Sequence, residues 1–187
     1  MNKKYELLKT DILTVPGGSS GIIVLHRIKA LKDFDNVKKG DIGGYIEKED
    51  NLSHDGNCWV FDNAWVSDNA KVYDNALVFG NALVFDNAMV YGNARVFDYA
   101  QVYDGANVKS NDDYALVQCF GSQNRTTTFY RTKDNSIGVV CGCFDGTLDE
   151  FKSKVKETHG NTYLAEEYLD IANLMEKRFK NRYEKEK

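Results

Sequence analysis

The chain has 187 residues, 42% hydrophobic and 28% charged, with a net charge of −4. This places it among ordinary globular proteins of one or two domains and excludes the strongly basic field that draws nucleic acid. The N-terminal stretch MNKKYELLKTDILTV carries no long apolar run, and no segment reaches membrane-spanning length. The expectation is therefore a cytoplasmic protein with no membrane partner, whose four cysteines (Cys58, Cys119, Cys141, Cys143) are thiols.

Residues 1–45 read as a small β cap. Tyr5–Val15 and Gly21–Ile28 are β-rich, and Pro16-Gly17-Gly18-Ser19-Ser20 between them is a turn signal. The following stretch, up to Trp59-Val60, is expected to cover the open end of what comes next, because a solenoid has to hide unpaired strand edges.

From Val60 the same six residues recur. Val60, Val66, Val72, Val78, Val84, Val90, Val96, Val102 and Val108 are six apart, and an alanine follows each of the first eight by four, from Ala64 to Ala106. A hexapeptide period signals a parallel β-helix. Val is β-branched and marks the inward centre of each short strand, Ala fits a narrow corner, and Asn and Gly sit where the chain turns. Three hexapeptides close one triangular coil, so residues eighteen apart stack about 4.8 Å apart. Leu52 and Cys58 extend the alanine register backwards, which starts the first coil near Ile46 and gives a solenoid over residues 46–110.

The stretch VFDNAWVSDNA resembles the hexapeptide-repeat, left-handed β-helix superfamily, which includes many trimeric acyltransferases. The resemblance implies a homotrimer. The departure from its pattern is the residue after Val, small in the superfamily and here Phe61, Ser67, Tyr73, Phe79, Phe85, Tyr91, Phe97 and Tyr103. Folded with period eighteen, one outer face carries Trp59, Phe61, Leu77, Phe79 and Phe97, and a second carries Trp65, Leu83 and Phe85. Contiguous apolar surface of this kind marks an interface. These eight residues are the expected oligomer contact, with wrapping by the chain's own flanks as the alternative.

The repeat stops at the polar Lys109-Ser-Asn-Asp-Asp113, and residues 111–187 read as an α+β module. YALVQCFG, TTTFYRT and IGVVCGCF are three strands, and KDNS is a turn. Thr147 and Glu150 form a capping box that opens a helix to His159, stopped by Gly160. A second helix over about Tyr163 to Arg182 has the apolar stripe Leu164, Tyr168, Ile171, Leu174, Met175 and Phe179, and the charged end NRYEKEK is expected to fray. The fold class is thus mainly β: a left-handed parallel β-helix with an N-terminal β cap and a small C-terminal α+β module. The entry RIKALKDF…KKGDIGGYIEKEDNLSHDGNCWV and the tail GSQNRTTTFYRT…CGCF…GTLDEF…ETHG together resemble uncharacterised phage and prophage proteins. That likeness implies a bacterial host and carries no established activity.

Candidate chemistry is sparse. An acyltransferase of the superfamily would use a histidine between subunits, but the only histidines are His26, His54 and His159, and His54 stands in the inward Val register. Cys141 and Cys143 alternate on one strand and Cys119 lies on another, yet C-x-C is not the usual zinc spacing and a fourth ligand is missing, so packed thiols and no metal are expected. No nucleophile-elbow, Walker A or dinucleotide motif occurs, so no catalytic residue and no cofactor is assigned. The columns Asp68/Asp86/Asp104 and Asp62/Asp98 are expected to satisfy turn N–H groups; mimicry of a phosphate backbone is the alternative.

The donor-rich run Gly121–Thr128 is the best binding candidate. Ser122, Asn124, Arg125, Thr126 and Thr127 suit a phosphate, and Phe129 would stack on a base. A plain hairpin loop is the alternative. The reading is a non-enzymatic binding protein on a trimeric β-helix, sequestering a phosphorylated nucleotide-like signal of the host or docking on a host protein. Acyl transfer and a structural assembly role are the rivals.

Overall fold

A computed structural model describes residues 3–17 and 21–185. The chain divides into two compact units, Met1–Asp104 and Gly105–Lys187. Gly18, Ser19 and Ser20 of the expected turn lie outside the described residues, as do Glu186 and Lys187.

The first unit is a parallel β-solenoid with an antiparallel extension. Its coils are built from two-residue strands: β4 (Trp59–Val60), β5 (Trp65–Val66), β6 (Lys71–Val72), β7 (Leu77–Val78), β8 (Leu83–Val84), β9 (Met89–Val90), β10 (Arg95–Val96) and β11 (Gln101–Val102). Parallel pairing joins strands eighteen residues apart, as in β4 to β7 to β10 and β5 to β8 to β11. Main-chain N–H groups of each coil donate to the next, for example Phe61 N to the Val78 carbonyl at 2.8 Å and Leu77 N to that of Ala94 at 2.9 Å. The Val and Ala stations of this unit form its core: Val60 to Val102 and Ala64 to Ala100 are all at most 1% exposed.

The corners refine the expectation about turn residues. The left-handed backbone belongs to the residue two after Val: φ is +53° at Asp62, +56° at Asp68, +57° at Asp74, +55° at Asp86 and +57° at Asp98, with Gly80 and Gly92 taking the same place at +70° and +63°. The Asn that follows is not the left-handed residue. This explains why Asp alternates with Gly at that station and with nothing bulkier. The carboxylates also cap the next coil. Asp62 Oδ2 accepts from Gly80 N at 3.0 Å, Asp68 Oδ2 from Asp86 N at 3.5 Å and Asp74 Oδ2 from Gly92 N at 3.1 Å, so Asp62 and Asp68 of the expected columns cap turns. The asparagines form their own ladder, with Asn75 Nδ2 donating to Asn93 Oδ1 at 3.3 Å.

The first coil is two residues longer than the others. Ile46 pairs with Val66 and Leu52 bridges to Val72, a separation of twenty, before Val60 meets Val78 at eighteen. Ile46 and Leu52 therefore occupy the Val register, not the alanine register. The extra residues are taken up between Ser53 and Cys58, where Asn57 N and Cys58 N both donate to the Asp74 carbonyl, at 2.8 and 2.9 Å. Gly56, at φ +65°, passes so close to the Asp74 backbone that a Cβ would collide with it.

The N-terminal strands complete this unit. β1 (Tyr5–Gly17) and β2 (Gly21–Ala30) form an antiparallel hairpin, β2 pairs with β3 (Ile42–Ile46), and β3 runs parallel to β5. The resulting sheet has the order β1-β2-β3-β5-β8-β11. Lys4, Tyr5 and Phe34 pack at the start of the solenoid, and of these only Phe34 belongs to the stretch expected to cover it. Tyr5 donates to the Leu52 carbonyl at 2.7 Å, and burial, with nearby Glu49 adding to it, pushes its phenol well above the usual range. Lys4 is fully buried, with Nζ 2.9 Å from the Cys58 carbonyl and 3.2 Å from its Sγ. Burial lowers the Lys4 ammonium and raises the Cys58 thiol, so both lean towards their neutral forms. His54 is not an inward station. Its ring lies against Tyr5 at 4.3 Å, and Nδ1 accepts from Lys4 N at 3.3 Å.

The second unit opens with one more two-residue strand, β12 (Asn107–Val108), then folds as an antiparallel sheet of β13 (Tyr114–Phe120), β14 (Arg125–Arg131), β15 (Ile137–Cys141) and β16 (Phe144–Thr147) in sequential order. Helices α1 (Leu148–His159) and α2 (Tyr163–Lys185) pack on it around Phe120, Phe129, Val139, Phe151, Tyr168 and Phe179. The Thr147/Glu150 capping box forms as expected, and Gly160 ends α1 at φ +57°. Two expectations change. IGVVCGCF is not one strand, because Gly142 at φ +62° and Cys143 turn the chain between β15 and β16. Leu174 is 59% exposed, and the buried stripe of α2 is instead Ala165, Tyr168, Ala172, Met175 and Phe179. The polar break is organised by Asp113, whose carboxylate accepts from Lys109 N at 3.0 Å, Ser110 N at 2.9 Å and Arg131 Nε at 3.1 Å.

Two predictions follow from these contacts. Replacing Asp74 by Ala loses the cap to Gly92 and places a Cβ-bearing residue without local hydrogen bonding at positive φ, at about 1 kcal/mol each, for a total of about 2 kcal/mol. Asp74→Gly loses only the cap and costs about 1 kcal/mol. Urea midpoints of the two variants should fall in that order. In the second unit, hydrogen bonds from Lys152 and Lys180, both at 2.5 Å, hold the Glu176 carboxyl down to about 2, against an ordinary 4.5. A depressed carboxyl stabilises the fold above the unfolded value and loses that contribution as pH falls through the folded one. Glu176→Gln should thus cost on the order of 1 kcal/mol at neutral pH, after solvent screening, and nothing by pH about 2. Denaturant titrations at the two pH values check this.

Candidate functional site

Ser122, Arg125, Cys141, Cys143, Lys154 and His159 of the second unit line one cleft of about 350 Å³. Its first wall is the turn between β13 and β14. Gly121 N donates to Glu167 Oε2 at 2.8 Å and Ser122 N to the Tyr168 hydroxyl at 3.2 Å, so α2 fixes the turn from behind. The second wall is the Gly142–Cys143 turn. Arg125 reaches across it, with its guanidinium so close over Gly142 that a Cβ there would collide with Nη1. The third wall is the outer half of α1, with Lys154, Val155, Thr158 and His159.

The floor is aromatic. Phe144 meets Phe151 at 5.4 Å, Phe151 meets Tyr168 at 6.0 Å and 78°, and His159 stacks on Tyr168 at 5.4 Å and 19°. Cationic groups at the rim, Arg125 and Lys154, stand over an apolar base. Lys154 is also paired with Glu157 at 2.9 Å. Cys141 and Cys143 line the same cleft, Cys141 partly exposed and Cys143 exposed.

The sequence-derived residues separate here. Ser122 and Arg125 line the cleft with Gln123. Asn124 is exposed in the turn at φ +49° and is not part of the lining. Thr126 is half-buried, and Thr127 is fully buried between β13 and β15 with its hydroxyl unpartnered. Phe129 is fully buried against Phe151 at 6.3 Å and 88°, so it is a core residue and offers no face for stacking. The aromatic side chains that do line the cleft are Phe144, Phe151, Tyr168 and His159. Phe144, Phe151, Lys154, His159 and Tyr168 were not singled out from the sequence. The signal was present in part, since Tyr168 belongs to the α2 stripe and CGCF ends in Phe144. The expectation that Cys119, Cys141 and Cys143 are packed thiols does not hold for Cys119 or Cys143, both exposed, and Cys141 is only partly buried. Among the described residues no cluster of His, Cys, Asp or Glu is arranged to hold a metal ion, and no helix is long and apolar enough to cross a membrane.

The expected oligomer residues sit on the solenoid as follows. Trp59 is 1% exposed because Phe34 and Tyr5 of the chain's own N-terminal segment pack on it, at 5.3 and 6.1 Å. Phe61, Leu77, Phe79, Phe97, Trp65, Leu83 and Phe85 are all half-buried. The rings after Val stack on one another along the coils: Phe79 on Phe97 at 5.2 Å, Phe85 on Tyr103 at 4.4 Å and Tyr73 on Tyr91 at 4.9 Å. Arg95 lies over Phe79 at 5.6 Å.

Comparison with known proteins points to the repeat. Residues 88–104 match the family described as YdcK Beta solenoid repeat. A 45-residue segment is 40% identical to the "Uncharacterized acetyltransferase YdcK" of Escherichia coli (strain K12). That segment is 24% of this chain and 14% of the relative, so the chain spans about a seventh of the length of the protein it matches. The similarity thus supports a hexapeptide-type solenoid.

Thiol exposure gives a direct check of the cleft. Iodoacetamide should label Cys119 and Cys143 in the folded protein, Cys141 more slowly, and Cys58 only after denaturation, as read by peptide mass spectrometry.

Proposed function

We propose that the protein is a binding protein in which the solenoid is a scaffold and the cleft of the second unit takes a small phosphorylated ligand bearing a flat ring, of nucleotide type. The observation that carries this reading is the placement of Arg125 across Gly142, above a floor of Phe144, Phe151 and the Tyr168–His159 stack. A guanidinium fork binds a phosphate bidentately, while an aromatic floor accepts a base by stacking. The size of the cleft falls at the small end of the range for ligand sites, about 300–1,000 Å³. No bond-making step is assigned to it. In the phage-type setting implied by the tail resemblance, such binding would withdraw a host signal from circulation.

Acyl transfer is the second reading, favoured by the description of the relative that matches the repeat as an uncharacterised acetyltransferase. It predicts turnover of a coenzyme A thioester, whereas the binding reading predicts none.

The test is equilibrium binding of a panel of nucleoside mono- and diphosphates by calorimetry. The expected result is saturable binding by at least one of them that weakens at least tenfold in Arg125→Ala with unchanged far-UV dichroism. The same ligand should slow alkylation of Cys143 and leave Cys119 unaffected. Binding that is equal in wild type and variant would remove Arg125, and with it the phosphate reading.

A further inference from the structure

The aromatic ladders cover much of their own surface, and a group of open apolar side chains lies elsewhere in the first unit. Ile12, Leu13, Ile22 and Val24 are 50%, 37%, 74% and 40% exposed. All four belong to the distal half of the β1–β2 hairpin. Cross-strand register puts Leu13 opposite Leu25 and Val15 opposite Ile23 on one face, and Thr14 opposite Val24 and Pro16 opposite Ile22 on the other. The ribbon is therefore apolar on both faces. β3 pairs with β2 only between His26 and Lys29, so among the described residues the stretch Gly21–Leu25 has no third strand beside it.

β1 is also the end strand of its sheet and is thirteen residues long. Free edges are normally blunted by charge, by proline or by a bulge. β1 carries such devices in its first half, with Lys9, Asp11 and a register shift between Leu7 and Ile12. From Ile12 to Val15 it has none, and Pro16 closes the run. Asp11, the nearest charge, is engaged by Arg27 at 3.5 Å.

We infer that this ribbon is the self-association element of the protein: the Ile12–Val15 edge of one chain pairs antiparallel with the same edge of a second copy about a two-fold axis. A strand pairing antiparallel with itself meets the requirement of an isologous contact, in which the same patch serves both partners. An uncharged apolar row matches a second uncharged apolar row, and the open main-chain donors and acceptors of each edge satisfy those of the other. Ile12 and Leu13 lie on the edge strand beside the new ladder, while Ile22 and Val24, on β2 one strand further in, continue the same apolar ribbon; the whole ribbon offers on the order of 300 Å² of apolar side-chain surface per chain, against the roughly 800 Å² per partner of a standard interface. The edge backbone, Val15 and Ile23 add to it.

The experiment is sedimentation velocity of the full chain over a concentration series, for wild type and for the triple variant Ile12→Lys, Ile22→Lys, Val24→Lys, whose positions share one exposed face. The expected result is a wild-type dimer whose association weakens at least tenfold in the variant, with unchanged far-UV dichroism. Should the lysines alter that spectrum, Ile12→Thr with Ile22→Thr keeps strand-favouring residues and should show the same direction of change. A wild-type dimer that persists in the variant overturns the proposal and moves the contact to another surface. A wild-type trimer overturns the two-fold pairing. A wild-type monomer at every concentration overturns self-association, and flotation of that monomer with neutral lipid vesicles would assign the ribbon to a lipid surface.

Discussion

The solenoid depends on one backbone constraint, the left-handed residue at each corner. A six-residue side has room for a two-residue strand only if the chain reverses within the next few positions, and that reversal needs positive φ at the residue two after Val. Asp62, Asp68, Asp74, Gly80, Asp86, Gly92 and Asp98 all take it. With the corner fixed there, the following small residue is driven inward and becomes Ala, and the residue before the corner is driven outward and is free to be aromatic. Asp adds something Gly lacks. Its carboxylate reaches the N–H of the next coil, so the corner that turns one coil also helps set the eighteen-residue register of the stack.

Much of this was legible because the repeat period equals a geometric period. The Val and Ala stations needed no further information. Which of two adjacent turn residues is left-handed was not legible, since Asp and Asn both tolerate it and only the backbone angles decide. The register of Ile46 and Leu52 was missed for a different reason. Stepping back by six assumes that every coil has equal length, and the Ser53–Cys58 corner holds two extra residues, which Gly56 accommodates by approaching Asp74. Likewise Cys-Gly-Cys read as strand because Cys and Val alternate there, whereas a glycine at φ +62° turns the chain.

The cleft was legible only on the side where its residues are consecutive. Ser122 and Arg125 stand out as a cluster of donors. The floor is contributed by β16, α1 and α2, far apart in sequence, and its aromatic residues follow the same periodicity as the helical core. Phe151 and Tyr168 are indeed core residues, and the cleft uses the outer faces of the cluster to which they belong. Phe129 failed as a site residue because β14 is a central strand. From Thr127 to Arg131 every residue is buried, so no alternation marks which ring would face outward.

An aromatic residue on a solenoid has to be counted differently from one on a helix. On a helix, an exposed ring in a polar neighbourhood is open surface. In a stack with an eighteen-residue register, its neighbour is the same station one coil away, about 5 Å off, so a row of such rings covers itself. The eye drawn to Phe79 and Phe85 in the sequence therefore overestimates their free surface, while Ile12, Leu13, Ile22 and Val24 of the β1–β2 ribbon have no such neighbour and stay open. Apolar exposure is thus set by the fold's own repeat distance: it is low where the period supplies a partner and high where the periodic chain has not yet begun.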